Sequence, residues 1–170
     1  MPMQFQAQFA VDTNFLMDCA RARDAALDAI EIIHRRVPKA QKFIVPTAFG
    51  ELTHKAMDDP DFMERKLANT ALEGMDAWGV FPVELPDMQN FIARSVANKL
   101  LGQGILPWKE RNDALILAEA AVLGCQLLIS SDSHLRDADR VQLARALREC
   151  GVPAVVVHSP DEIMHIFGGR

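Results

Sequence analysis

Short apolar runs alternate with helix-periodic stretches along the whole chain. "FAV" closes at Asp12, and "NFLMDCARARDAALDAIEIIHRRV" follows with helical spacing, so the pattern predicts a strand and then one long helix. "KFIV" meets Pro46 and Thr47 and leads into a helical "AFGELTHKAM", and the polar segment from Asp58 to Asp76 holds another helix in "MERKLANTALEGM". "GVFPVEL" is a third strand, followed by "PDMQNFIARSVANKLL", with Pro86 expected as the first helical residue. "NDALILAEAAVLG" is apolar on nearly every side, which predicts a buried helix ended by Gly124. "QLLIS" and "PAVVVH" are the fourth and fifth strands, separated by the helix "DADRVQLARALREC". Ser159 and Glu162 have the spacing of a capping box before a last helix. Strand and helix alternating five times predict an α/β fold, a parallel sheet with helices on both faces.

Composition narrows this picture without changing it. A chain of 170 residues with 49% hydrophobic and 24% charged positions is expected to form one domain with a substantial core, and neither repeat nor linker divides it. The net charge of −5 excludes a general nucleic-acid-coating role. It leaves room for a nuclease, whose clustered carboxylates lower the net charge. Cys19, Cys125 and Cys150 share no CxxC spacing, so neither a disulfide framework nor a zinc site follows, and a reducing cytoplasm is expected. The start "MPMQFQAQFA" lacks the features of a secretory leader, and no apolar run approaches the roughly 18 residues of a membrane span.

The chemistry lies in where the acids fall. Ligands of such folds bind at the carboxyl ends of the strands. Asp12 ends the first strand, Asp132 follows the fourth, and Glu51 is expected in about the first turn of the helix after the second. Asp113 starts the helix before the fourth strand, and a helix antiparallel to the strands starts at that same edge. Each acid alone has an ordinary explanation as a helix cap or a first-turn residue. Together they repel by roughly 4 kcal/mol per close pair at an effective dielectric of 20. A cation that relieves this among all-oxygen ligands is Mg²⁺ or Mn²⁺.

"VDTNFLMD", "VPTAFGEL" and "NDALILAEAAVLGCQLLISSDSHL", with the acids inside them, resemble the PIN domain, in particular the VapC-type ribonucleases. The resemblance spans most of the chain and implies a three-layer α/β/α sandwich with a five-stranded parallel sheet. It also implies metal-dependent hydrolysis of RNA phosphodiesters. Carried over by position, Asp12, Glu51, Asp113 and Asp132 form the acidic quartet that holds Mg²⁺ or Mn²⁺ and carries catalysis. Asn14 and Ser130 take positioning roles, and Asp132 is expected as a metal ligand rather than a loop cap. The family further implies a homodimer and a small antitoxin partner. The chain departs from a typical toxin in its extra N-terminal residues and its extended "GQGILPWKER" loop.

Other residues have plainer readings. Lys109, Arg111, His134 and Arg136 flank the acids and are either phosphate contacts or solvated loop charges. Trp108 is expected to anchor its loop, with stacking on a base as the alternative. His34, His54, His158 and His165 share no ligand spacing. Two rivals stand beside the nuclease reading. One is a non-catalytic PIN-like interaction module. The other is a receiver-type Mg²⁺-binding signalling domain, which wants an acidic neighbour for Asp12 and a Lys after the fifth strand; this sequence has neither.

Overall fold

The structure, a computed structural model, describes residues 6–168. The reading of the N-terminus as free of a leader rests partly on residues 1–5, outside the described residues. The chain begins with strand β1 (Gln8–Val11), helices α1 (Thr13–Ala20) and α2 (Asp24–Arg36), and strand β2 (Gln41–Ile44). Helices α3 (Pro46–Asp58) and α4 (Phe62–Gly74) lead to strand β3 (Val80–Pro82), and α5 (Asp87–Gly102) and α6 (Arg111–Val122) lead to strand β4 (Leu127–Ile129). A short α7 (Ser133–Arg136) and α8 (Arg140–Glu149) precede strand β5 (Val156–His158), and α9 (Pro160–Phe167) follows it.

All pairings are parallel, and the sheet order is β3-β2-β1-β4-β5. β1 sits at the centre, with Val11 opposite Ile44 on one side and Ile129 on the other. The chain steps outward from β1 to β3, then returns to the far side of β1 for β4. The order therefore reverses between β1 and β4, and a crevice opens there at the carboxyl ends of the strands. α2 packs on α9 and α1 on α4, while α5 packs on α6 and α8, so helices flank the sheet in a three-layer α/β/α arrangement. Val11, Ile44, Leu128 and Ile129 are wholly buried between the layers with Phe15, Ile33 and Leu117. Removing each such side chain from water contributes about 1.5–3 kcal/mol. α6 ends where Gly124 takes a left-handed φ of 75°, which a side chain would strain.

Three local features depart from the sequence reading. The long helix expected from Asn14 onward is broken into α1 and α2. Asp18 draws Arg21 and Arg23 to 3.6 and 3.4 Å, its carbonyl accepts the Arg23 N–H at 3.0 Å, and Ala22 turns left-handed at φ 52°. Pro86 is the extended N-cap of α5, at ψ 156°, rather than its first helical residue. α7 is a turn of helix inserted where the sequence suggested only a loop, because the Asp132 carboxylate caps it.

Candidate functional site

The site is built around the β1–β4 crevice. Asp12 follows β1, and its N–H extends the ladder to the Ile129 carbonyl at 3.2 Å. Its side chain is almost wholly buried, with 3% of the residue exposed. Oδ1 accepts the Phe15 N–H at 2.7 Å and so caps α1, while Oδ2 accepts the Ser130 hydroxyl. The Ser130 hydroxyl in turn accepts the Asp132 N–H at 3.0 Å. Ser130 is wholly buried, and its hydroxyl links the two acids. Asp132 Oδ1 accepts the His134 N–H at 2.7 Å as the N-cap of α7. The choice between cap and ligand at Asp132 is thus not exclusive: it is a cap, and its second oxygen accepts no hydrogen bond among the described residues.

Facing helices bring in the other acids. Glu51 lies in the second turn of α3 rather than the first. One of its oxygens accepts the Thr13 hydroxyl at 2.7 Å, the other the Asn112 amide at 2.6 Å. Asp113 stands in the first turn of α6, and Glu110 occupies the N-cap position of that helix. Glu110, Asp113 and His134 each offer a ligand atom, all within 4.8 Å of one another. His134 Nδ1 also lies 3.5 Å from both Glu110 Oε1 and Asp132 Oδ1. Behind this group, Glu119 of α6 is buried and caps α3, accepting the Thr47 N–H at 3.0 Å and its hydroxyl at 2.7 Å.

The electrostatics of the group are unbalanced. Burial pushes the Asp12 carboxyl from 3.8 up to about 7, against the opposing bonds from Ser130 and Phe15, and the charges of Asp113 and Asp132 add to the rise. Asp113 is also pushed up to about 7, first by burial, then by the charges of Asp132, Glu110 and Glu51. Burial raises Glu119 as well, opposed by its bonds from Thr47. Among the described residues no Lys or Arg pairs with Asp12, Glu51, Asp113 or Asp132. Acids that raise one another without a basic partner suit a divalent cation, and the carboxylate oxygens match Mg²⁺ or Mn²⁺. The imidazole of His134 is a donor that Mn²⁺ accepts more readily than Mg²⁺.

The structure therefore brings Asp12, Asp113, Asp132 and Glu51 into one electrostatic group at the carboxyl edge of the sheet. Asn14 is exposed in the first turn of α1, next but one to Asp12, and makes no side-chain hydrogen bond among the described residues. Ser130 donates to Asp12, while Thr13 ties α1 to Glu51. Thr13, Glu110, Asn112 and Glu119 carry site contacts that sequence reasoning passed over. For Glu110 a signal existed in its place just before "RND", where a helix starts. Trp108, expected to be an anchor, is 62% exposed, and its neighbours Ile105 and Leu106 are buried in its stead.

No protein-family model matches the chain, and no curated protein matches it. Among solved structures it is similar to a chain of VapBC2 from Rickettsia felis, crystallised bound to a DNA fragment from their promoter. The TM-score is 0.62 at 12% identity, over 89% of this chain and 98% of that one. It is also similar to a chain of FitAcB from Neisseria gonorrhoeae, with a TM-score of 0.50 at 15% identity over 89% and 97% of the two chains. At these identities the likeness is one of fold.

Proposed function

We propose that this protein is a metal-dependent endoribonuclease of the PIN type that hydrolyses RNA phosphodiesters. The observation that carries the reading is Asp113, whose carboxyl is raised by burial and by three neighbouring acids, Glu110 at the start of its own helix and Asp132 and Glu51 from two other segments, with no Lys or Arg paired to it. Asp12, Asp113 and Asp132 would hold Mg²⁺ or Mn²⁺. Bound there, the ion neutralises the anionic phosphate and makes water a stronger nucleophile near neutral pH. Glu51, aligned by Thr13 and Asn112, positions the attacking water and takes its proton. Ser130 fixes Asp12 in place. Asn14, exposed beside the crevice, is free to meet the substrate, and Lys109, Arg111 and Arg136 contact its backbone phosphates.

The likeness to a VapBC2 chain supports a place in a toxin–antitoxin pair, and our reading makes this chain the toxin, with a small antitoxin as partner, in a homodimeric state and a cytoplasmic setting. The carboxylate group and the net charge of −5 favour the nuclease component over a DNA-binding one. The test is a calorimetric Mn²⁺ titration of the wild type beside Asp113→Asn, followed by RNA cleavage. Wild-type binding that weakens at least tenfold in the variant, with cleavage lost, is expected. Absence of Mn²⁺ binding in the wild type, or wild-type cleavage by a folded Asp113→Asn, overturns the assignment. One observation favours the non-catalytic module: Asp12 and Asp132 both serve as helix caps. Mn²⁺ binding with no turnover of any RNA decides for that reading.

A further inference from the structure

A cleft of about 480 Å³ opens beside the acids, within the roughly 300–1,000 Å³ of small-molecule sites. Ile105, Leu106, Pro107 and Trp108 of the α5–α6 connection line it, and His134 and Asp137 of the α7 segment line it too. Two features tie it to the carboxylate group. His134 belongs both to the cleft and to the cluster with Glu110 and Asp113. Trp108 precedes Glu110 by two residues, at most about 7 Å of chain, so the cleft and the cluster are neighbours.

The chemistry of the lining is specific. Trp108 is too exposed to serve the core, and the buried Ile105 and Leu106 already anchor the loop. A wide aromatic face held at the mouth of a cleft is what a splayed-out base stacks on. Asp137 is exposed, and its carboxylate makes no hydrogen bond among the described residues. An ionised carboxylate only accepts. It matches the adjacent N–H groups on the Watson–Crick edge of guanine and opposes the two carbonyl oxygens of uracil. A chain of net charge −5 draws little general attraction for RNA, so binding needs contacts of this local kind.

We infer that the Trp108 cleft is the nucleobase subsite of the proposed nuclease, stacking one base on the indole and taking guanine over uracil through Asp137. The inference rests on the nuclease reading and adds the place where the strand is read. It makes Trp108 and Asp137 specificity residues, while the phosphate of the same nucleotide reaches the carboxylate group.

The probes are guanosine and uridine 5′-monophosphate with Mn²⁺, titrated by calorimetry into wild type, Trp108→Ala, Trp108→Phe and Asp137→Asn. A Trp78→Phe background leaves Trp108 as the sole indole, so stacking is read directly as quenching of its fluorescence. The expected result is quenching by the guanine nucleotide and roughly tenfold weaker binding in Trp108→Ala. Trp108→Phe retains most of the affinity, and Asp137→Asn loses the preference over the uracil nucleotide. Mn²⁺ alone binds Trp108→Ala as it binds the wild type. Equal guanine-nucleotide binding by wild type and Trp108→Ala overturns the subsite, and equal binding of the two nucleotides by the wild type overturns the role of Asp137. Mn²⁺ bound without either nucleotide overturns the subsite and leaves the metal site standing, whereas no Mn²⁺ binding removes the nuclease reading beneath it. A dimer that Trp108→Ala converts to monomer makes this face a contact between copies and also overturns the inference.

Discussion

Asp12 makes the stability of the metal-free protein fall as pH rises. Its carboxyl is held at about 7 in the folded chain against 3.8 ordinarily, because it is buried and faces Asp113 and Asp132. A carboxyl raised on folding binds its proton more tightly in the native state. Its stabilising contribution is complete below pH 3.8 and is lost as pH climbs through about 7. The upper two units of that window, from about pH 5 to 7, correspond to about 3 kcal/mol at 1.36 kcal/mol per unit. Asp113 adds in the same direction, by less, since part of it meets solvent. Carboxyls lowered by their partners, such as Glu162 beside His158, exert the opposite slope at lower pH; above pH 5 the buried Glu119 adds to the fall and His34, lowered by burial, opposes it, so the Asp12→Asn variant is what isolates the share of Asp12. Denaturant unfolding in EDTA at pH 5, 6, 7 and 8 measures the effect. The expected loss is about 2–3 kcal/mol from pH 5 to 8, flattened in Asp12→Asn. In wild type it is offset by Mn²⁺, since a hundredfold excess over Kd contributes about 2.7 kcal/mol. Stability that is flat or rises over this range in EDTA, or a slope undiminished in Asp12→Asn, refutes the argument.

Two further outcomes follow from buried hydrogen bonds. Ser130→Ala removes the donor to Asp12 and the acceptor of the Asp132 N–H, so it is expected to cost about 1–3 kcal/mol and weaken Mn²⁺ binding, as unfolding and calorimetry would measure. Glu119→Ala strips the cap from α3 and leaves the Thr47 N–H and hydroxyl unpaired; denaturant unfolding should register a similar loss, with Glu119→Gln milder because its amide oxygen still accepts.

The parts of this protein that were legible in its sequence are those governed by periodicity. The buried run Leu127–Ile129, the all-round apolar α6 and its end at Gly124 follow from the spacing of apolar residues and one glycine. Asp113 was placed at the right edge by direction alone, since a helix feeding a parallel strand must start where that strand ends. The break at Ala22 was not legible, because it depends on Asp18 drawing two arginines, and a run of helix formers gives no sign of that. Nor was α7, four residues long and made by one carboxylate cap. Thr13, Asn112 and Glu119 escaped for another reason. Their partners lie 35 or more residues away, and only the packing of α1, α3 and α6 decides which hydroxyl or amide meets which acid.

The bond between Ser130 and Asp12 joins residues 118 positions apart. Asp12 leaves the ribosome early, when neither β4 nor the acids of α6 and α7 yet exist. No growing chain that stops short of Asp132 can assemble the carboxylate group, whatever helices it has already formed. A host making this protein is therefore exposed to its proposed chemistry only once about three-quarters of the chain is synthesised and β4 has docked against β1, the slow, long-range step of such a topology. Fragments released before that point carry up to three acids of the site and none of its power.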